Sequence, residues 1–274
     1  MAMAWVNGTT TVSGSNPTSL ALSVSLTPGN YVFIGVVLAP TTASVSSITD
    51  NSATPGAYSR VSVQTTNVDL EIWVGIVPST APTTITVNLT GSATGGVAVL
   101  GQYSGFFGPA TVGGTGATTG SSATPGLTPT RTISYANDFA LSVIGWAIAA
   151  SAPAINSNTG NLRESGSSTG ATKVGAALVD STSAVAGTVL TNDVSLAGPT
   201  SENWAATIMD LFTLTPNANI AVPSGGSSVY AGWPSSTVLV ASTFQVTDAP
   251  SYVVLSVQRP APFSPEGSPI IVDA

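Results

Sequence analysis

The chain has 274 residues, of which 17 are charged (twelve acidic and five basic), and it contains no histidine and no cysteine. That composition excludes a disulfide framework, thiolate and ordinary zinc sites, and every Ser-His-Asp or Cys-His nucleophile. The net charge of −7, with Arg60, Arg131, Arg163, Lys173 and Arg259 scattered along the sequence, excludes the clustered basic footprint that nucleic acid requires.

Residues 1–8 show neither a basic stretch nor an apolar core of the secretory kind, so the expectation is synthesis and folding in a cytoplasm. From there the pattern is β. Runs rich in Val, Ile, Thr, Tyr, Phe and Trp recur between clusters of Gly, Pro, Ser and Asn. Strands are predicted at 31–39, 58–65, 70–77, 83–90 and 96–104, then at 130–135, 139–148, 173–180, 188–194 and 204–212. In the run from Thr84 to Thr90, Ile85, Val87 and Leu89 point one way and polar side chains the other, as in a strand with one dry face. The longest apolar stretch, 139–155, is interrupted by Ser142, Ser151 and Pro153 and is too short to span a bilayer, so it reads as core and no membrane insertion is expected. No window carries an amphipathic helical stripe.

Three stretches read as loops: the Gly/Ala/Thr/Ser/Pro run 110–130, the polar run 156–172, and 213–234 with Pro216, Pro223, Gly225, Gly226 and Pro234. The last reads as a boundary. Beyond it, 237–247 and 251–259 are predicted to pair, and Pro260, Pro262, Pro265 and Pro269 make the tail extended rather than sheet-forming. The expected architecture is all-β: an antiparallel, jelly-roll-like β-sandwich over 1–212, then a small C-terminal β module with a proline-rich tail over 213–274. No repeat of solenoid period is visible.

An ordered set of short motifs runs through the first 212 residues. Val45-Ser-Ser-Ile-Thr-Asp-Asn51 is followed by Tyr58, then Trp73, then Ala98-Val-Leu-Gly-Gln-Tyr-Ser-Gly105, then Tyr135-Ala-Asn-Asp-Phe-Ala-Leu141, and a closing strand from Trp204. The order resembles a β-sandwich domain family of bacterial secreted proteins and phage tail and virion proteins, with the pattern V-T-D-N…Y, W, E-Y-S-G, A-N-D-L and a final W. Gln102 stands where the pattern has Glu, and Phe139 where it has Leu. The resemblance implies a fold more than an activity.

Physically, Asp50-Asn51 reads as a turn whose side chains bond nearby backbone N–H groups, the alternative being a calcium site that lacks the usual ligand spacing. Trp73, Trp146 and Trp204 read as core. Trp5 and Trp233, in Gly/Pro/Ser surroundings, are candidates for contact with a partner, as is the apolar strip Ile270-Ile271-Val272. Asp69 and Glu71 share a strand face; a solvated edge is the expected meaning, a glycosidase carboxylate pair the rival. No cofactor is expected. The composition and the resemblance together lead to a non-enzymatic structural protein of a phage-like virion: a capsid decoration, spike or tail-fibre-type subunit. Its partners would be other copies of itself and a capsid or tail scaffold. The alternative is a carbohydrate-binding module or adhesin on surface glycans, at a cell surface or outside the cell.

Overall fold

Tyr31–Ala39 carries no charge and does not alternate, the pattern of a strand covered on both faces, and all nine of its residues are buried. It lies at the centre of a five-stranded antiparallel sheet. The computed structural model describes residues 4–13, 16–39, 42–66, 68–105, 111–122, 131–133, 139–148, 155–169, 172–196, 202–212, 252–255 and 270–273. The chain divides into two units, Met1–Leu214 and Thr215–Ala274. All sheets are antiparallel, and no helix occurs among the described residues.

In the first half of the first unit the strands are β1 (Ala4–Val12), β2 (Ser19–Ser23), β3 (Tyr31–Ala39), β4 (Val45–Asp50), β5 (Tyr58–Gln64), β6 (Asp69–Ile76), β7 (Thr84–Leu89) and β8 (Gly95–Ser104). They form a five-stranded sheet, β1-β8-β3-β6-β5, and a three-stranded sheet, β2-β7-β4. The second half contains β9 (Thr111–Ser122), β10 (Arg131–Thr132), β11 (Phe139–Ile148), β12 (Ile155–Asn158), β13 (Asn161–Ser167), β14 (Lys173–Thr182), β15 (Val189–Leu190), β16 (Val194–Leu196) and β17 (Glu202–Phe212). Its large sheet runs β9-β17-β11-β14-β13, beside the short pairs β10-β15 and β12-β16.

The two halves have the same strand order. With β15 and β16 taken as one interrupted strand, each strand of the first half has a counterpart in the second, β1 with β9 through to β8 with β17. The β-bulges recur too. An extra residue interrupts β5 opposite Ile72 and Trp73, and β13 opposite Leu178 and Val179. A second pair interrupts β4 between Val45 and Ser47 and β12 between Ile155 and Ser157. Bulges are placed features rather than noise, so these registers fix residue equivalences: Gly35 with Val143, Val37 with Gly145, Glu71 with Ala177.

Packing follows the same symmetry. The two large sheets face each other across a core containing Phe33, Val37, Leu70, Val99, Leu141, Val143 and Leu178. The contacts are reciprocal: β1 meets β13 and β5 meets β9, while β8 meets β14 and β17 meets β6. This is the pattern of a two-fold interface, here built within one chain. The outer face of the first large sheet is covered by β2-β7-β4 over Leu22, Ile34, Leu38, Ile85 and Val87. The outer face of the second is covered at β12-β16 over Ile144, Trp146, Val179 and Trp204. A fully buried aliphatic or aromatic side chain contributes about 1.5–3 kcal/mol, so these layers dominate the stability.

Several expectations are corrected. The all-β, antiparallel architecture is as expected, but the large sheets are covered on both faces and not only on one, because β3 and β11 are apolar on both sides. The expected surface loop at 110–130 contains β9, whose poverty in side chains makes room for a neighbour: a Cβ on Gly120 would lie 2.5 Å from the Trp204 ring. The expected loop at 156–172 contains β13, a polar edge strand. Ala4–Val12, not expected to form a strand, makes β1. In the second unit, Tyr252–Leu255 (β18) pairs with Ile270–Asp273 (β19). The tail expected to stay out of sheets thus enters one at Ile270, Ile271 and Val272, just past Pro269. Residues 213–234 and 237–247 lie outside the described residues.

Candidate functional site

Of the motif residues, Asp50, Asn51 and Tyr58 come together. Asp50 Oδ1 accepts from the Ser52 N–H at 2.9 Å and from the Ser52 hydroxyl at 2.5 Å; Oδ2 accepts from the Gly56 N–H and the Tyr58 hydroxyl, each at 2.8 Å. Burial alone would raise the Asp50 carboxyl, but these bonds outweigh it and hold the group below its ordinary value. Asn51 Oδ1 accepts from the Thr83 and Thr84 N–H groups, both at 3.0 Å. Asp50 therefore closes the local turn that its residue type predicts, whereas Asn51 reaches across to Thr83 and Thr84 and not to a nearby N–H. Tyr58 pins the far side of the Asp50 turn, which the sequence pattern did not disclose. Gly105 has φ 90°, the left-handed conformation expected at the end of β8. The Asn137-Asp138 motif lies outside the described residues.

Asp69 and Glu71 are corrected from a solvated edge to the interior: they are 1% and 0% exposed. They lie between the first large sheet and its outer sheet because Leu70 and Ile72, the alternating positions of β6, face the other core. Glu71 Oε1 accepts the Val45 N–H at 2.7 Å; Oε2 accepts the Trp73 indole N–H at 3.0 Å and an Arg60 N–H at 3.3 Å. Both Asp69 oxygens are buried with no donor in reach. Burial first, and then the charge of Glu71, push the Asp69 carboxyl up to about 7. Closure on this scale leaves no room for a sugar between the two groups.

Trp5, a candidate for contact with a partner, is found in β1, half-buried against the core between the large sheets. Its indole lies over Gly8 and Gly101, meets the Tyr103 ring edge-on at 5.4 Å, and carries the Arg163 guanidinium 5.1 Å above its face. Arg163 Nε donates to Asp180 Oδ2 at 2.7 Å, and the Tyr103 hydroxyl donates to the same oxygen at 2.9 Å. Asn161 donates to Asp180 Oδ1 at 3.1 Å. This knot ties β1 and β8 of one half to β13 and β14 of the other. Trp146 and Trp204 are buried, and Trp73 packs half-buried under the outer sheet, as their aliphatic neighbours imply. Trp233 lies outside the described residues, and nothing is described of the side chains of Ile270, Ile271 and Val272.

Among the described side chains, charge has largely withdrawn from the surface. Asp69, Glu71, Asp180 and Asp210 are buried; Asp50, Glu164, Asp193, Arg131, Arg163 and Lys173 are half-buried. Among the described side chains Arg60 is the one exposed charge, and it is paired with Glu71. The exposed positions are held by residues such as Ser19, Ser23, Ser25, Ser46, Thr49, Ser59, Thr65 and Thr66. Among the described residues no three acidic side chains gather as a metal group would, and no helix is long and apolar enough to cross a membrane. One surface depression lies between β1 and the residues after β2, and another along the edge of β5. No family model, curated protein or solved structure matches the chain.

Proposed function

We propose that this chain is a non-enzymatic structural protein of a phage-like virion, a capsid decoration, spike or tail-fibre-type subunit, that acts through self-assembly and surface display. The observation that carries the reading is the distribution of charge. A surface with a single exposed ion among its described side chains has little to hold copies apart and little to desolvate when they meet. Hydroxyls and small residues then supply the contacts, and burial of that surface in a lattice or oligomer keeps the chain in solution only in its assembled form.

Two further features support it. The ionisable groups at Asp50, Glu71 and Asp180 are spent on backbone, tyrosine and arginine partners, which suits a scaffold rather than a reaction centre. The first half places its eight strands in two sheets, in the order 1-8-3-6-5 beside 2-7-4, and the second half repeats that order with its outer strands in two separate pairs; this supports the jelly-roll-like reading, an architecture that recurs in viral capsid and lectin domains. The second unit is proposed as the assembly or attachment module, through Trp233 and the strip Ile270, Ile271 and Val272.

Immunogold electron microscopy of particles from the native source tests the placement. Label on a capsid lattice or tail is the expected result. Label on a cell surface, together with saturable glycan binding by the pure protein, would replace the virion reading with the adhesin one.

A further inference from the structure

We propose that Asp69 and Glu71 form a proton-operated latch fastening the outer sheet and the edge strand β5 to the first large sheet, closed while the pair shares a proton and loosened when both carboxyls are ionised. Glu71 is the mechanical joint. Its two oxygens hold the first residue of β4, the indole of β6 and the arginine of β5. Asp69, two residues away on the same strand face, has no donor of its own. A proton on Asp69 supplies the missing donor and joins it to Glu71; without it, two buried anions oppose each other.

The fold itself does not require carboxyls at these places. In the second half the equivalent positions are Gly175 and Ala177, and the Trp146 ring packs directly on Gly175. An identical strand order is thus closed there by apolar contact, which makes the acidic pair a property of the first half and not of the architecture.

The surroundings offer little compensation. From β5 the group that faces the pair is Arg60, whose side chain is 46% exposed and therefore screened by solvent. The strands β3, β7 and β8 have no charged residue. The charge of β4, Asp50, sits at the opposite end of that strand, bound to Ser52, Gly56 and Tyr58. The ordinary Asp69 value of 3.8 rises to about 7 through burial and then Glu71, with Arg60 pulling the other way. The closed state therefore keeps a proton that an opened state releases. Its advantage is complete below about 3.8 and is lost as pH rises to about 7.

Hydrogen exchange on the full chain tests the latch at the Val45 amide, which Glu71 accepts, with the Val174 amide of the second half as reference. After correction for intrinsic exchange, the opening of Val45 should increase by about tenfold per pH unit between roughly pH 4.5 and 6.5 and level off above about 7.5. Asp69→Asn should remove that dependence, and Val174 should not follow it. In the wild-type protein the Trp73 indole N–H resonance should shift with a midpoint near 7, which keeps the test open if the variant fails to fold. A Val45 slope unchanged in Asp69→Asn, the same slope at Val174, or a Trp73 resonance that does not move between about pH 5 and 8 would each overturn the latch.

Discussion

Gly35 on β3 lies against Val143 on β11, and Val143 is the residue that takes the place of Gly35 in the second half. A Cβ on Gly35 would sit 2.6 Å from Val143 Cγ1. The reciprocal contact is also present, with a Cβ on Gly145 placed 2.7 Å from Val37. A residue that meets its own counterpart marks a two-fold axis, so β3 and β11 cross where the pseudo-symmetry axis of the first unit passes. Each crossing pairs one glycine with one valine, which lets the sheets approach without a void.

Gly35→Ala should overpack this crossing and lower stability by about 1–3 kcal/mol in urea unfolding. Combined with Val143→Ala, which vacates the same space, the double variant should regain about 1 kcal/mol over Gly35→Ala alone. Strict additivity of the two losses would show that the sheets do not meet at this point.

The Asp180 knot predicts an uneven pair of losses. Tyr103→Phe removes one donor and should cost about 1 kcal/mol. Asp180→Ala leaves the Arg163 guanidinium and the Tyr103 hydroxyl without an acceptor, and should cost about 3 kcal/mol or more. Equal small effects from both, by thermal or urea unfolding, would mean that the halves are held by apolar packing alone.

Much of this was readable in the residues. β3 is legible at 31–39 as a long apolar β-branched run bounded by turn residues, and β11 at 139–148 because its β-branched and aromatic content favours strand over helix. The Asp50 turn was legible for a similar local reason. β9 was not, since Thr and Gly in alternation match a loop as well as an edge strand until Trp204 is seen to need the space over Gly120. The duplication was hidden because equivalence rests on bulges and register rather than residue type: Gly35 matches Val143, and Glu71 matches Ala177. The Asp69–Glu71 pair was misread because carboxylates are buried so seldom that the surface is the default.

The Asp50 turn contributes to stability on the acid side. Its folded value lies below the ordinary 3.8, so the stabilisation it gives is present above the unfolded value and is lost as pH falls through the folded one. Asp50→Asn should cost about 1–2 kcal/mol at neutral pH, where the carboxylate's bonds from Ser52, Gly56 and Tyr58 are strongest. The difference from the wild type should shrink below about pH 3.5. Urea midpoints at acid and neutral pH check this, and a difference that is constant with pH would contradict it.

Self-association through a charge-poor surface is the central proposal, and sedimentation mass of the full chain at micromolar concentration tests it most directly. The prediction is a mass that is a multiple of the 27.1 kDa chain and that holds as salt is raised from about 0.05 to 1 M, since few exposed charges are there to be screened. A clean 27.1 kDa monomer throughout that range would contradict it.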